Sequence, residues 1–372
     1  MKRTLVAALV GLSLGANAAG WDDLRISGFG SVGIGQSDNA VGYAGYTDEK
    51  LDWEQETLAG LQFDFRINDR AKFVTQVVAN SRYDYEPKIE MAYASYAFDS
   101  FTARAGKLRL PLFFYSDYTD VGYAYPMIRP SQELYENLVL KGYTGADLLI
   151  PVDFENSTLL FQPVVGIAQI DEDDSELGEV KLDNMYGLSA QWIYNDFMLR
   201  GSYFAAEANP TNSVYNGTST DMIAGKDGQF ISIGAQYDNG DFLANVEAAD
   251  VQLDGEFYDY RSVNGLLGYR VGNFTPYLAA GWVETTDDEE RSGLSALVMN
   301  YERMSYSVGS RWDFTKNMAL KLDVTYVDYK DTSGGFASNL ELVEMGGGSI
   351  VPTGNFNEDS SLVYSARLDF VF

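Results

Sequence analysis

Neither histidine nor cysteine occurs among the 372 residues, which leaves carboxylates, lysine, arginine, tyrosine and hydroxyls as the groups able to do chemistry. Ser-His-Asp hydrolysis, histidine-activated thiols, thiol redox and zinc held by His or Cys are thereby excluded. Three spacings remain as candidates. Gly28-Phe29-Gly30-Ser31-Val32-Gly33 matches G-x-G-x-x-G, yet its glycines lie inside an alternating apolar stretch. An acidic loop follows where a dinucleotide site needs a helix. The runs Asp171-Glu172-Asp173-Asp174 and Asp287-Asp288-Glu289-Glu290 offer oxygen ligands for divalent cations. They lack the spacing of a calcium loop and read as solvated, mutually repelling surface. The third candidate is the segment 108–142, with Asp117, Asp120, Glu133 and Glu136 set against Arg109, Arg129 and Lys141. Between these charges stand Phe113, Phe114, Tyr115, Tyr118, Tyr123, Tyr125 and Tyr135. Three prolines interrupt the segment, and neither a helical period nor a sustained alternation runs through it. Connections this long are functional or disordered, and this one is too aromatic for disorder.

Its position follows from the elements on either side. From Leu24 onwards the chain alternates apolar and polar residues in sixteen short runs, the period of strands. Leu24, Ile26, Gly28, Gly30, Val32 and Ile34 share one face; so do Tyr186, Leu188, Ala190, Trp192 and Tyr194, and later Leu320, Leu322, Val324 and Tyr326. Two runs, 89–98 and 274–283, are ambiguous in phase. Seven connections are short and turn-like, such as Asn68-Asp69-Arg70, Asn195-Asp196 and Asp238-Asn239-Gly240. The other eight are long: 36–56, 81–88, 108–142, 171–184, 206–228, 250–260, 285–301 and 328–360. Short and long alternate strictly, so all the turns gather at one end of an antiparallel array. A transmembrane up-and-down β-barrel of sixteen strands is built this way, with short periplasmic turns and long external loops. A soluble sandwich connects its sheets by Greek keys, and nothing in it makes loop lengths alternate.

Composition agrees. Aromatics reach 14%, with 26 Tyr and 36 Gly, which favours β structure. Phenylalanines recur beside the short turns (Phe98, Phe101, Phe154, Phe197, Phe242, Phe274, Phe314) at the height of an interfacial girdle. Lys2 and Arg3, an apolar stretch from Leu5 to Gly15 and Ala16-Asn17-Ala18 read as a cleaved export signal over 1–18. The remainder, 19–372, reads as one domain. The net charge of −28 argues against nucleic acid as a partner. Neither a cofactor nor a metal is expected.

Lipid-facing residues must be apolar, which makes the polar face of each strand the inner one. On that phase the wall carries Arg25, Arg66, Lys72, Arg104, Arg200, Arg270, Arg303, Arg311, Lys321 and Arg367 against Asp64, Glu90, Glu247, Asp323 and Asp369. Sixteen strands close a barrel too wide for its side chains to fill, so water occupies it. Outward residues are small on the early strands (Gly28, Gly30, Ala59, Ala71, Ala79, Ala103, Ala105) and bulky later (Trp192, Ile233, Tyr269, Tyr306, Leu322). Close approach of a second protein needs the small face. A homotrimer centred on the early strands is the expectation.

The chain ends on Tyr364, Phe370, Val371 and Phe372. A closing phenylalanine after alternate aromatic or apolar residues resembles the assembly signal of bacterial outer-membrane barrels, here Phe370 and Phe372. With the sixteen runs and the long third loop, the chain resembles the trimeric general porins of Gram-negative outer membranes. That resemblance implies passive diffusion of small hydrophilic solutes and ions, with outer-membrane lipids, lipopolysaccharide and the barrel-assembly machinery as partners. It also implies that the third loop folds inward and narrows the channel. Asp117, Asp120, Glu133 and Glu136 would then face Arg25, Arg66, Lys72 and Arg104, and Arg109, Tyr118 and Arg129 would share the constriction. Opposed charges across a narrow aqueous gap order water and disfavour apolar solutes. A channel tuned to organic anions is the alternative within transport. An adhesin or hydrolase barrel is the alternative outside it.

Overall fold

The computed structural model describes residues 23–136, 140–170, 180–210, 214–215, 218–219, 224–255, 257–335, 338–345 and 349–372. The export signal 1–18, the acidic run 171–174, the triple glycine 346–348 and the side chain of Glu136 lie outside the described residues.

Sixteen antiparallel strands close on themselves. They are β1 (Leu24–Ser37), β2 (Leu58–Arg66), β3 (Ala71–Asn80), β4 (Pro87–Ala97), β5 (Thr102–Arg109), β6 (Gly142–Asp153), β7 (Thr158–Ile170), β8 (Val180–Tyr194) and β9 (Phe197–Pro210). After a two-stranded ribbon, β10 (Val214–Tyr215) and β11 (Thr218–Ser219), come β12 (Lys226–Asp238), β13 (Phe242–Leu253), β14 (Tyr260–Tyr269), β15 (Phe274–Thr285), β16 (Glu302–Thr315) and β17 (Met318–Asp328). A loop hairpin, β18 (Leu340–Met345) and β19 (Ser349–Phe356), precedes the last barrel strand, β20 (Ser360–Val371). Closure runs from Phe29 opposite Val371 to Ser37 opposite Val363. A short α-helix, Gly293–Met299, lies in the seventh long connection.

The turns at the short end are specified locally. The Asn68 side chain accepts the amides of Arg70 and Ala71, each at 2.9 Å, and Asn239 accepts those of Asp241 and Phe242 at 3.1 and 2.8 Å. Gly240 and Gly272 take the left-handed backbone (φ +92° and +60°) that these turns need. The two ambiguous runs have separate causes. In β4 the register shifts opposite Gln76/Val77, so the alternation changes phase at Glu90. In β15 the inner residues Tyr277 and Val283 are themselves apolar and buried, Tyr277 against the third long connection and Val283 against Tyr258, Met299 and Tyr301.

The outer face is an apolar belt: Ile233, Val308, Val165, Leu278 and Leu322 are all more than half exposed. Exposed apolar area of that extent marks a surface covered by lipid or protein. Phe154, Phe197, Phe242, Phe274 and Phe314 form its rim at the turn end. Small outward residues do not all leave a flat surface, however. A Cβ on Gly28 would collide with the Phe372 ring and one on Gly30 with the Phe370 ring, at under 3.0 Å. These two glycines serve the closure of β1 on β20, so the flat early face comes from Ala59, Ala79, Ala103 and Ala105.

Candidate functional site

The wall of a wide barrel offers hydrogen-bond donors inward, and an irregular segment carries backbone carbonyls that need them. The third long connection joins the two. Leaving β5, it turns inward at Leu110-Pro111, and Leu110, Leu112, Phe113 and Leu134 pack with Leu108, Tyr143, Phe204 and Phe230 of the wall. Along this side Ser202 donates to the Pro111 carbonyl (3.1 Å), Ser232 to Leu112 (2.8 Å) and Arg200 to Phe113 (2.6 Å). Glu247 of β13 accepts the Phe114 amide at 2.7 Å and the Tyr135 hydroxyl at 2.6 Å.

The segment then crosses to the opposite side. Lys321 donates to the carbonyls of Gly122 (2.6 Å) and Met127 (2.8 Å), Arg311 to Tyr123 (2.5 Å), and Arg367 to Ile128 (2.7 Å). Three of these cations are neutralised on the wall. Asp369 lies 2.9 Å from Lys321 and 2.7 Å from Arg367, and Asp313 lies 2.7 Å from Arg311. The segment 110–136 is thus held inside the barrel from both sides.

Two carboxylates complete the anchorage. Glu133, fully buried, accepts from the Tyr43 hydroxyl (2.8 Å), Ser131 (2.9 Å), Ser305 (2.8 Å) and Arg303 (3.1 Å). Glu56, in the first long connection, bridges Arg129 at 2.5 Å and Arg367 at 2.9 Å. Burial alone pushes the Glu56 carboxyl up, but Arg129, Arg367 and Arg82 outweigh it and hold the group below the ordinary value of 4.5. Asp120 is half-buried, which raises it, and Arg109 with Lys141 brings it below its ordinary value.

The inner wall of β1–β6 contrasts with this. Arg25, Arg66 and Lys72 are exposed there, and Arg104 is partly so. From the crossing segment the exposed Asp117 reaches the same region, within electrostatic range of Arg104 and Tyr93. A space of about 80 Å³ on the loop side is bordered by Glu56, Arg82, Asp120, Arg129 and Lys141. One of about 600 Å³ on the turn side is bordered by Arg25, Arg66, Lys72, Tyr93 and Arg104.

No protein-family model and no curated relative matches the sequence. Solved structures do match. The outer-membrane expressed OmpT of Vibrio cholerae superposes with a TM-score of 0.60 at 13% identity, over 94% of this chain and 97% of that one. OmpF of Salmonella typhi gives 0.58 at 13%, over 94% and 97%. A structure described as an anion-selective porin, from Comamonas acidovorans, gives 0.57 at 11%, over 94% and 99%. The fold is that of the outer-membrane porins.

Within that porin fold the charges meet in pairs other than those the resemblance implied. Of the four loop acids, Asp117 approaches Arg104. Asp120 instead pairs with Arg109, which also lies 3.3 Å from Glu90. Glu133 pairs with Arg303 across the barrel. The cause is reach: Asp120 stays beside Arg109 at the end of β5, where the segment begins, whereas Glu133 lies where the segment has crossed to β16. Five wall cations expected to line open water, Arg200, Arg303, Arg311, Lys321 and Arg367, are committed, together with the loop's own Arg129, to holding the segment in place. Arg270 is elsewhere again, at the β14–β15 turn, 2.6 Å from Asp238. Tyr118 stacks edge-on against Tyr115, with ring centres 5.9 Å apart.

Glu56, Tyr43 and Tyr93 were missed. Glu56 and Tyr43 sit in the first long connection, and only their low exposure to water, invisible in sequence, marks them. Tyr93 falls in the run whose phase is shifted by the β4 bulge. Among the described residues no group of three or more carboxylates converges as a metal-ligand set.

Proposed function

We propose that the chain is a diffusion porin of the bacterial outer membrane, passing small hydrophilic solutes and ions through a water-filled channel. One observation carries the reading: a non-strand segment crosses the lumen, clamped on the β9–β20 side, while Arg25, Arg66 and Lys72 of the β1–β6 wall stay exposed. A barrel serving only as an anchor or adhesin has no use for such an asymmetric interior. A path along β1–β6 passes Asp117, the acidic residue of the crossing segment that faces the exposed cations, and Arg25, Lys72 and Arg104 beneath it. Arg109, Tyr118, Asp120, Arg129 and Glu133 shape the constriction by holding the segment there. The channel assembles as a homotrimer on the alanine-rich face of β2–β5, surrounded by outer-membrane lipid and lipopolysaccharide. The barrel-assembly machinery inserts it through a strand ending in Phe370 and Phe372. A trimer form is described for the V. cholerae protein.

The exposed cations of β1–β5 favour one second reading, a channel tuned to organic anions. Purified protein in planar bilayers tests both. Stepwise ohmic conductance supports the porin; the reversal potential in a salt gradient separates anion preference from none. A protein that inserts in the bilayer yet gives no conductance steps refutes the proposal.

A further inference from the structure

The basic part of the β1–β6 wall is a built arrangement. Strand register sets Arg66 beside Lys72, Lys72 beside Ser95, Ser95 beside Arg104 and Arg104 beside Asp147, all on one level. Arg25 stands one level away, opposite Asp64. At about 4.8 Å per strand, Arg66 and Arg104 are roughly 14 Å apart, the length of a small solute plus two side chains. The ends of this row are neutralised: Arg66 by Asp23 at 2.9 Å and Arg104 by Asp147 at 2.5 Å. Its middle is not. Arg25 and Lys72 are exposed and, among the described residues, form no ion pair. Asp64, the acid facing Arg25 across the strands, accepts instead from the Gln62 amide at 3.0 Å. The Tyr93 ring, under the Arg104 guanidinium at 5.5 Å, adds a flat apolar floor.

Elsewhere on the inner wall the chain spends its cations on backbone carbonyls and carboxylates. Here two are left facing a space of about 600 Å³ that opens at the turn end. An isolated exposed cation is ordinary, but two unpaired cations on either side of the Arg66–Asp23 pair, beside an aromatic floor, match the separated charges of a polyvalent anion. Guanidinium and ammonium groups bind carboxylate and phosphate by charge-assisted hydrogen bonds.

We propose that this pocket is an anion-binding subsite for small solutes carrying two or more carboxylate or phosphate groups, a proposal that rests on the porin reading and names a solute class for it. Occupancy would retain such a solute at the turn-side mouth and raise its local concentration there.

The test uses the full chain with citrate as the probe and glucose as the uncharged control. In bilayers, citrate added on the turn side produces brief blockades that glucose does not. Arg25→Gln with Lys72→Gln weakens the block by at least about tenfold, since a hydrogen bond to a charged group is worth roughly a decade in affinity. Arg25→Lys with Lys72→Arg retains it. Neither double variant breaks an ion pair, and heat-modified gel mobility verifies folding. Calorimetric titration of the detergent-solubilised protein reads the same site without a channel. Citrate binding that is lost in the glutamine variant, in a protein that conducts nothing, would keep the subsite and sink the porin reading. Conducting channels with no citrate block, or with a block the glutamine variant leaves unchanged, would overturn the subsite alone.

Discussion

Replacing Glu133 by glutamine should release the inner segment without unfolding the barrel. The carboxylate is fully buried and accepts four donors, one of them the Arg303 guanidinium at 3.1 Å. Glutamine keeps the shape, removes the charge and leaves Arg303 without its counter-ion. Removing one partner of a buried pair costs about 3–5 kcal/mol. At about 1.4 kcal/mol per decade, the ratio of detached to attached segment rises by roughly two to three and a half decades. The sixteen-strand ladder contains none of these contacts, so heat-modified mobility should match the parent protein.

The absence of cysteine makes the opening measurable. A thiol placed at Gln132, next to the anchor, is labelled by a membrane-impermeant reagent only when the segment opens. Its labelling rate follows the open population when closing is fast. In Glu133→Gln the rate should rise by two decades or more, with added noise in single-channel current. Glu133→Asp keeps the charge and should fall between the two. A labelling rate within about twofold of the parent would refute the anchoring role, because a loss of about 3 kcal/mol cannot be hidden in so small a change.

Further outcomes follow from the same contacts. The Glu56 bridge has a sign in pH. Its carboxyl lies below 4.5 when folded, so its stabilisation is complete above that value and is lost as pH falls through the lower folded value. Channel current should be steady from neutrality down to about pH 5 and turn noisy only under stronger acid; onset of noise near neutrality would count against the bridge. Asp117→Asn should move the reversal potential towards anions, while Glu289→Gln with Glu290→Gln, outside the barrel and screened within about 8 Å, should move it less. Equal shifts would place Asp117 outside the conducting path. Ala103→Trp should weaken the trimer on unheated gels while leaving the barrel folded, and a persistent trimer would direct attention to another face. Phe370→Ala uncovers Gly30 and by area loses roughly 1.5–3 kcal/mol, so a defect in membrane assembly far beyond that loss would mark the ring as a recognition element.

The barrel was legible because its information is local. Period-two alternation and Asx turns such as Asn68 and Asn239 act over a few residues, and the sixteen runs recur as the sixteen barrel strands. The segment 108–142 was legible as an exception to that pattern, but its resting place was not. Lys321, Arg311 and Arg367 hold it by the carbonyls of Gly122, Tyr123, Met127 and Ile128, and a carbonyl carries no side-chain signature. The partners are also remote: Arg367 is 239 positions from Ile128, and Glu133 is 170 from Arg303. A residue-type reading therefore matches acids to the cations of a related architecture and takes every inward cation as pore lining. The distinction that matters is whether a cation still has an unused charge once the segment is in place. Arg311, Lys321 and Arg367 are spent on the segment, and Arg25 and Lys72 are not. On the proposed porin reading, selectivity would be set less by how many basic residues the wall carries than by how few of them the inner segment leaves free.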